Sequence, residues 1–163
     1  MIPFNYKTSF FTLVLLAPLS LLAQQKDSAT FKRHNLYGSA DASAWGGITL
    51  NYELPLGSTV LKLSGHSMTW SGYVNLRAGY GLESPQVVHG PGGGIALSGM
   101  TGKGNHHFEI SGGVFRMIDS DRWDWVLMPI ADLGYRYQKP TGGFLFRARV
   151  ANVGIGISLG HSF

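Results

Sequence analysis

Through most of the sequence, hydrophobic and polar positions alternate with a period of two. The clearest run is Val153 to Phe163. Val153, Ile155, Ile157, Leu159 and Phe163 fall on one face, with His161 among them, while Gly154, Gly156, Ser158, Gly160 and Ser162 fall on the other. A strand of a soluble sandwich sets large apolar residues against polar ones. A second face made of Gly and Ser is what a crowded, narrow barrel interior requires when the first face meets lipid. The preceding run repeats the pattern, with Phe144, Phe146, Ala148 and Val150 opposite Arg147 and Arg149. Ala131, Leu133, Tyr135 and Tyr137 oppose Asp132, Gly134 and Arg136. Val74, Leu76, Ala78 and Tyr80 oppose Asn75, Arg77 and Gly79 within Tyr73 to Gly81, and Ile48, Leu50 and Tyr52 oppose Thr49, Asn51 and Glu53. Fainter alternation marks Leu36 to Ser43, Gly94 to Thr101 and His107 to Met117. These eight segments predict an all-β chain folded as an eight-stranded antiparallel up-and-down transmembrane β-barrel.

With both chain ends on the inner side, odd strands run outward and even strands return. Short inner turns are then expected at Thr101 to His106 and Lys139 to Gly143, both rich in Gly or Pro. Outer loops are expected at Ala44 to Gly47, Leu82 to Gly93, Ile118 to Trp123, and Ala151 to Asn152. The connection Leu54 to Gly72 is too long for a plain turn, and its Val60-Leu61-Lys62-Leu63 could extend a strand. This topology places Trp45, Tyr80, Trp123 and Trp125 at the outer rim and Tyr52, Tyr73, Tyr137, Phe144 and Phe163 at the inner rim, the two bands of interfacial anchoring.

The first 23 residues have a different character. Lys7, the apolar stretch Phe10 to Ala17, Leu19 to Leu22 and the small Ala23 follow the pattern of an export signal cut before Gln24. Pro18 interrupts the apolar run, which falls short of the roughly 20 residues a spanning helix needs. The expected organisation is a signal peptide over 1–23, a polar leader over 24–34 and the barrel over 35–163. Export through the inner membrane and residence in the outer membrane follow from it.

Composition agrees with an all-β reading. Only 13% of residues are charged, against 23 glycines, nine Phe, seven Tyr and four Trp. The absence of cysteine excludes disulfides, a thiolate metal site and a lipoprotein anchor. The net charge of +4 is spread along the chain, with no basic block longer than Lys32-Arg33, so no nucleic-acid partner is expected.

The interior face collects Asp41, Glu53, Glu109 and Asp132 against Arg77, Arg136, Arg147 and Arg149, four acids and four bases. An eight-stranded barrel is just wide enough for its own side chains. Unpaired charges there would be costly, so these eight are expected to form a neutralising network that closes the lumen. A proton or ion path, or a ligand site, is the functional alternative. No enzyme, cofactor or metal is expected. Ser158 and Ser162 face away from His161, with no acid on the face of His161. His106 and His107 are adjacent and so point to opposite faces of a strand. Gly90-Pro91-Gly92-Gly93-Gly94 lacks the Gly-Lys-Ser/Thr ending of a phosphate loop and reads as a flexible outer loop feeding a strand. Asp119, Asp121 and Asp124 lack the glycine and terminal glutamate of a calcium loop and read as a solvated loop.

A family likeness rests on Asn51-Tyr52-Glu53, Leu76-Arg77-Ala78-Gly79-Tyr80-Gly81, Gly102 to Glu109, Gly134 to Gln138, Gly142 to Ala148 and the terminal Ile157 to Phe163. In order and spacing, Asn35 to Phe163 resembles the small outer-membrane β-barrel proteins of Bacteroidetes-type bacteria. The resemblance implies an eight-stranded barrel and no defined biochemical activity. The family carries a longer outer loop between its last two strands; Ala151-Asn152-Val153 leaves almost none here, so no activity of that loop carries over. The terminal Phe163 on an alternating last strand resembles the signal read by the barrel-assembly machinery, which pairs with an exposed strand edge.

The expected role is structural or surface-interacting, for a monomer whose partners are outer-membrane lipid and the assembly machinery. Two alternatives differ in class. One is an outer-membrane lipid-modifying enzyme, a hydrolase or acyltransferase. The other is a soluble periplasmic lipocalin-like carrier, which needs the apolar face inside and the charged face in water.

Overall fold

The computed structural model of the chain describes residues 33–42, 46–63, 66–82, 89–119, 124–152 and 154–163. The expected signal peptide, leader residues 24–32, and Trp45, Asp121 and Trp123 of the expected outer loops lie outside the described residues. The strands are β1 (Asn35–Ala42), β2 (Gly47–Leu63), β3 (His66–Gly81), β4 (Gly90–Thr101), β5 (His106–Ile118), β6 (Trp125–Gln138), β7 (Gly143–Ala151) and β8 (Gly154–Ser162). Each pairs antiparallel with the next, and β8 returns to β1, from Asn35↔Ser162 to Ala42↔Ile155. The barrel is closed, so neither end strand presents an open edge along its length.

The alternation reads directly onto the two faces. Asn35, Tyr37 and Ser39 of β1, and Leu145, Arg147 and Arg149 of β7, are buried inside. Ile155, Ile157 and Leu159 of β8, with Phe144 and Val150 of β7, are exposed outside. Eight charged side chains lie within and the outer face is mostly hydrocarbon, the reverse of what a carrier with an apolar interior requires; Arg116 of β5 is an outward exception, 3.9 Å from the Trp125 ring centre. The short turns at 102–105 and 139–142 join β4 to β5 and β6 to β7 at the end that also holds both chain ends of the barrel, hereafter the turn end.

Four expectations change. Within Leu54 to Gly72, residues 54–63 and 66–72 belong to strands: β2 and β3 pair from Gly47↔Gly81 to Leu63↔His66 and outrun β1, whose last pair is Asn35↔Glu53. Pro55 sits just where β2 has left β1, a position at which the missing N–H needs no partner. The register shifts between Pro55 and Gly57, and Gly57 adopts φ +134°, so a bulge bends the paired strands.

Gly90 to Gly94 is also strand rather than loop, paired to β3 through Gly81↔Gly90 and Arg77↔Gly94. Its glycines are a packing device. A Cβ at Gly92 would lie 2.6 Å from the Phe115 ring, and one at Gly94 would lie 2.3 Å from the Val114 carbonyl oxygen. Next, β6 begins at Trp125, well before Ala131, and projects past β7. Finally, Tyr73 is not a rim anchor. It shares the parity of Asn75 and Arg77 and is fully buried in the lumen beside Met100.

Candidate functional site

Among the described residues, the interior gathers most of the buried charged and polar side chains. Strand parity alone puts Glu53, Glu109, Arg136 and Arg147 inside, and the barrel is narrow enough for β2, β5, β6 and β7 to meet across it. Arg136 contacts Glu53 and lies 3.4 Å from Glu109, while Arg147 contacts Glu109 and lies 3.5 Å from Glu53. Each cation therefore touches both anions. The four side chains close a neutral ring with essentially no solvent exposure.

Neutral groups complete the ring. The Tyr37 hydroxyl donates to Glu53 Oε1 at 2.8 Å and accepts from Arg147. Asn35 Nδ2 donates to Glu53 Oε2 at 2.9 Å, and Asn75 Nδ2 donates to the Tyr37 hydroxyl and, at 3.4 Å, to Glu53 Oε1. The guanidinium of Arg147 lies 4.7 Å from the Tyr37 ring centre, and that of Arg136 lies 5.0 Å from the Tyr73 ring centre. These are cation–π contacts, which arginine makes more often than lysine.

The other four charges lie apart from the ring as two pairs. Arg149 clasps Asp41 with both carboxylate oxygens, at 2.7 and 2.8 Å. Gly156 makes this possible, since a Cβ there would fall 2.0 Å from Asp41 Oδ1. Arg77 stands 3.6 Å from Asp132, beyond hydrogen-bond reach but close enough for strong attraction. A cavity of about 60 Å³ lies beside these pairs, lined by Asp41, Thr49, Arg77, Phe115, Met117 and Arg149, with room for a few water molecules.

All eight charged residues of the expected network thus face the lumen, and they divide into one ring and two satellite pairs rather than a single cluster. Sequence reasoning missed the neutral partners Asn35, Tyr37 and Tyr73, and Gln138, whose Nε2 donates to Ser162 Oγ at 3.1 Å. It set Asn75 and Asn51 on the charged face without naming them as partners; Asn51 Nδ2 donates to Ser39 Oγ at 3.0 Å. Parity was the available signal for each. It was faint in β1, where Gly38, Ala40 and Ala42 leave the outward face without bulk.

Chemically the ring is locked. Each carboxylate is held by two guanidiniums, so neither is placed as a general base, and Ser158 Oγ is engaged with Ser39 Oγ at 2.8 Å. His161 lies on the opposite, outer face, where it stacks at 6.5 Å on Phe163. Phe163 is exposed beside the β1–β8 seam, its backbone exchanging two hydrogen bonds with His34. No protein-family model, curated protein or solved structure matches the chain.

Proposed function

We propose that the barrel resides in a bacterial outer membrane as a monomer, its turn end in the periplasm, its interior closed by the charge ring, and its role structural or surface-interacting rather than catalytic. One observation carries this reading. Each of the eight strands contributes an exposed large apolar side chain to the outside: Leu36, Leu50, Leu76, Ile95, Ile110, Leu133, Val150 and Ile157, between 42% and 64% exposed. An apolar belt that takes in every strand, around a molecule with eight charged side chains inside and Arg116 outside beside Trp125 at the outer rim, is unfavourable in water and favourable in hydrocarbon. Tyr80 and Trp125 toward one end, and Tyr52, Tyr137, Phe144 and Phe163 toward the other, suit the two interfaces.

The export pattern over 1–23 and the likeness to small Bacteroidetes-type barrels support the same destination. On this reading Phe163, at the seam where the last strand meets the first, is the mark read during assembly. Fractionation tests it. The protein is expected to sediment with outer membranes, to begin at Gln24, and to migrate faster in unheated than in heated detergent samples. Phe163→Ala is expected to lower the membrane-fraction yield. Recovery of the intact protein from the periplasm without detergent overturns the assignment.

A further inference from the structure

On the outer surface the belt is not uniform. The outward residues of β1 after Leu36 are Gly38, Ala40 and Ala42, so the belt is thin along this strand. Neighbours on both sides are bulky: Gly38 pairs with Leu50 and Leu159, and Ala40 pairs with Ile48 and Ile157. On β3 the small Ala78 also borders the depression, with Tyr80 as a wall. The result is an open apolar groove of about 600 Å³ running along β1. A Cβ built at Gly38 meets nothing within 4 Å, so this glycine is not required by packing within the chain. Glycine inside a strand weakens it and often marks a close approach by a ligand.

Toward the turn end, beyond Leu36, the same outward row reaches His34. The His34 ring stacks at 5.7 Å on Tyr52, its Nδ1 2.8 Å from the Tyr52 hydroxyl, and at 6.2 Å on Phe163, which in turn stacks on His161. Hydrocarbon space therefore ends in a patch of imidazole and phenol groups, which donate hydrogen bonds to phosphate oxygens. Arg33 and Lys139 lie at the same end, with Lys103 across the barrel from β1. Among the described residues the side-chain carboxylates nearest that end, Glu53 and Glu109, point inward and are neutralised. The cationic side chains of the rim outnumber the one carboxylate of the terminal Phe163.

We infer that the β1 groove is a phospholipid site: one acyl chain lies over Gly38 and Ala40, and an anionic headgroup sits at His34 and His161. The inference rests on the membrane reading above. Native mass spectrometry of the detergent-purified barrel titrated with phosphatidylglycerol and phosphatidylethanolamine tests it. The parent is expected to retain one lipid, with about tenfold tighter binding of phosphatidylglycerol. Gly38→Leu sets its Cβ in open space and its side chain in the groove, and is expected to lose that lipid by about tenfold, whereas Val114→Leu, on β5, is expected to bind as the parent does. His34→Gln with His161→Gln is expected to remove the headgroup preference and keep the chain.

Equal lipid retention by Gly38→Leu and the parent overturns the site. So does a parent dimer that Gly38→Leu converts to monomer, because the groove is then filled by a second copy. Flotation with vesicles of the two lipids separates the two failures. A barrel that floats without retaining a lipid sinks only this site. A barrel that does not float sinks the membrane reading and the site with it.

Discussion

Arg147 touches both carboxylates of the ring and the Tyr37 hydroxyl, so truncating it strands two buried anions with Arg136 as their remaining cation. Removing one partner from a buried ion pair costs about 3–5 kcal/mol, and Arg147→Ala is expected to lower the urea unfolding midpoint accordingly. Arg149→Ala is expected to cost less, about 1–2 kcal/mol, because the Asp41 side chain keeps 20% of its exposure and can be hydrated. Midpoints equal to the parent for both variants would show that the network does not stabilise the barrel. The charged members were legible because a charge on one face of an alternating strand can only be lumen or solvent. The neutral members were not. Tyr37 and Asn35 lie on a strand whose outward side is small, and Tyr73 is as suited to a rim as to an interior until its parity with Asn75 is followed.

At the scale of strands, alternation located all eight elements but not their lengths, because a closed barrel is staggered and its strands end at different heights. Pro55, Gly57 and the Gly90 to Gly94 run look like punctuation in sequence, yet all lie inside strands, at a bulge, an edge or beneath an aromatic ring. The same stagger leaves the start of β6 beyond β7, a free edge of the kind that invites pairing between molecules. The chain blocks it twice. Pro129 offers no N–H. Asn152 continues the ladder with one residue: its backbone N–H donates to the Ala131 carbonyl, its Oδ1 accepts from the Ala131 N–H, and its Nδ2 donates to the Pro129 carbonyl, each at 3.0 Å. Asn152→Ala removes the acceptor of the Ala131 amide. About 1 kcal/mol per hydrogen bond predicts roughly fivefold faster hydrogen exchange at Ala131, with Leu133 unchanged. Unaltered exchange at Ala131 would mean that Asn152 does not hold this edge.

For the whole molecule, the question is whether the lumen is a path. Eight strands give an interior that side chains can fill, and here they do: Tyr37, Tyr73, Met100, Arg136, Gln138, Leu145 and Arg147 are all nearly or fully buried across the bore. The neutral ring reaches from β2 to β5, β6 and β7, so an ion moving along the axis must pull both carboxylates away from both guanidiniums in a water-poor site. Such contacts lose far more on separation than an exposed pair does. The space beside the satellite pairs is about 60 Å³, enough for a few bound waters. The purified parent in planar bilayers is therefore expected to show no steady conductance at moderate voltage. Large, stable openings would overturn the closed interior while leaving the membrane assignment intact. Absence of insertion, checked by flotation of the same preparation, would instead count against that assignment. Brief openings that become frequent in Arg147→Ala and not in Arg149→Ala would identify the ring, and not the satellite pairs, as the barrier.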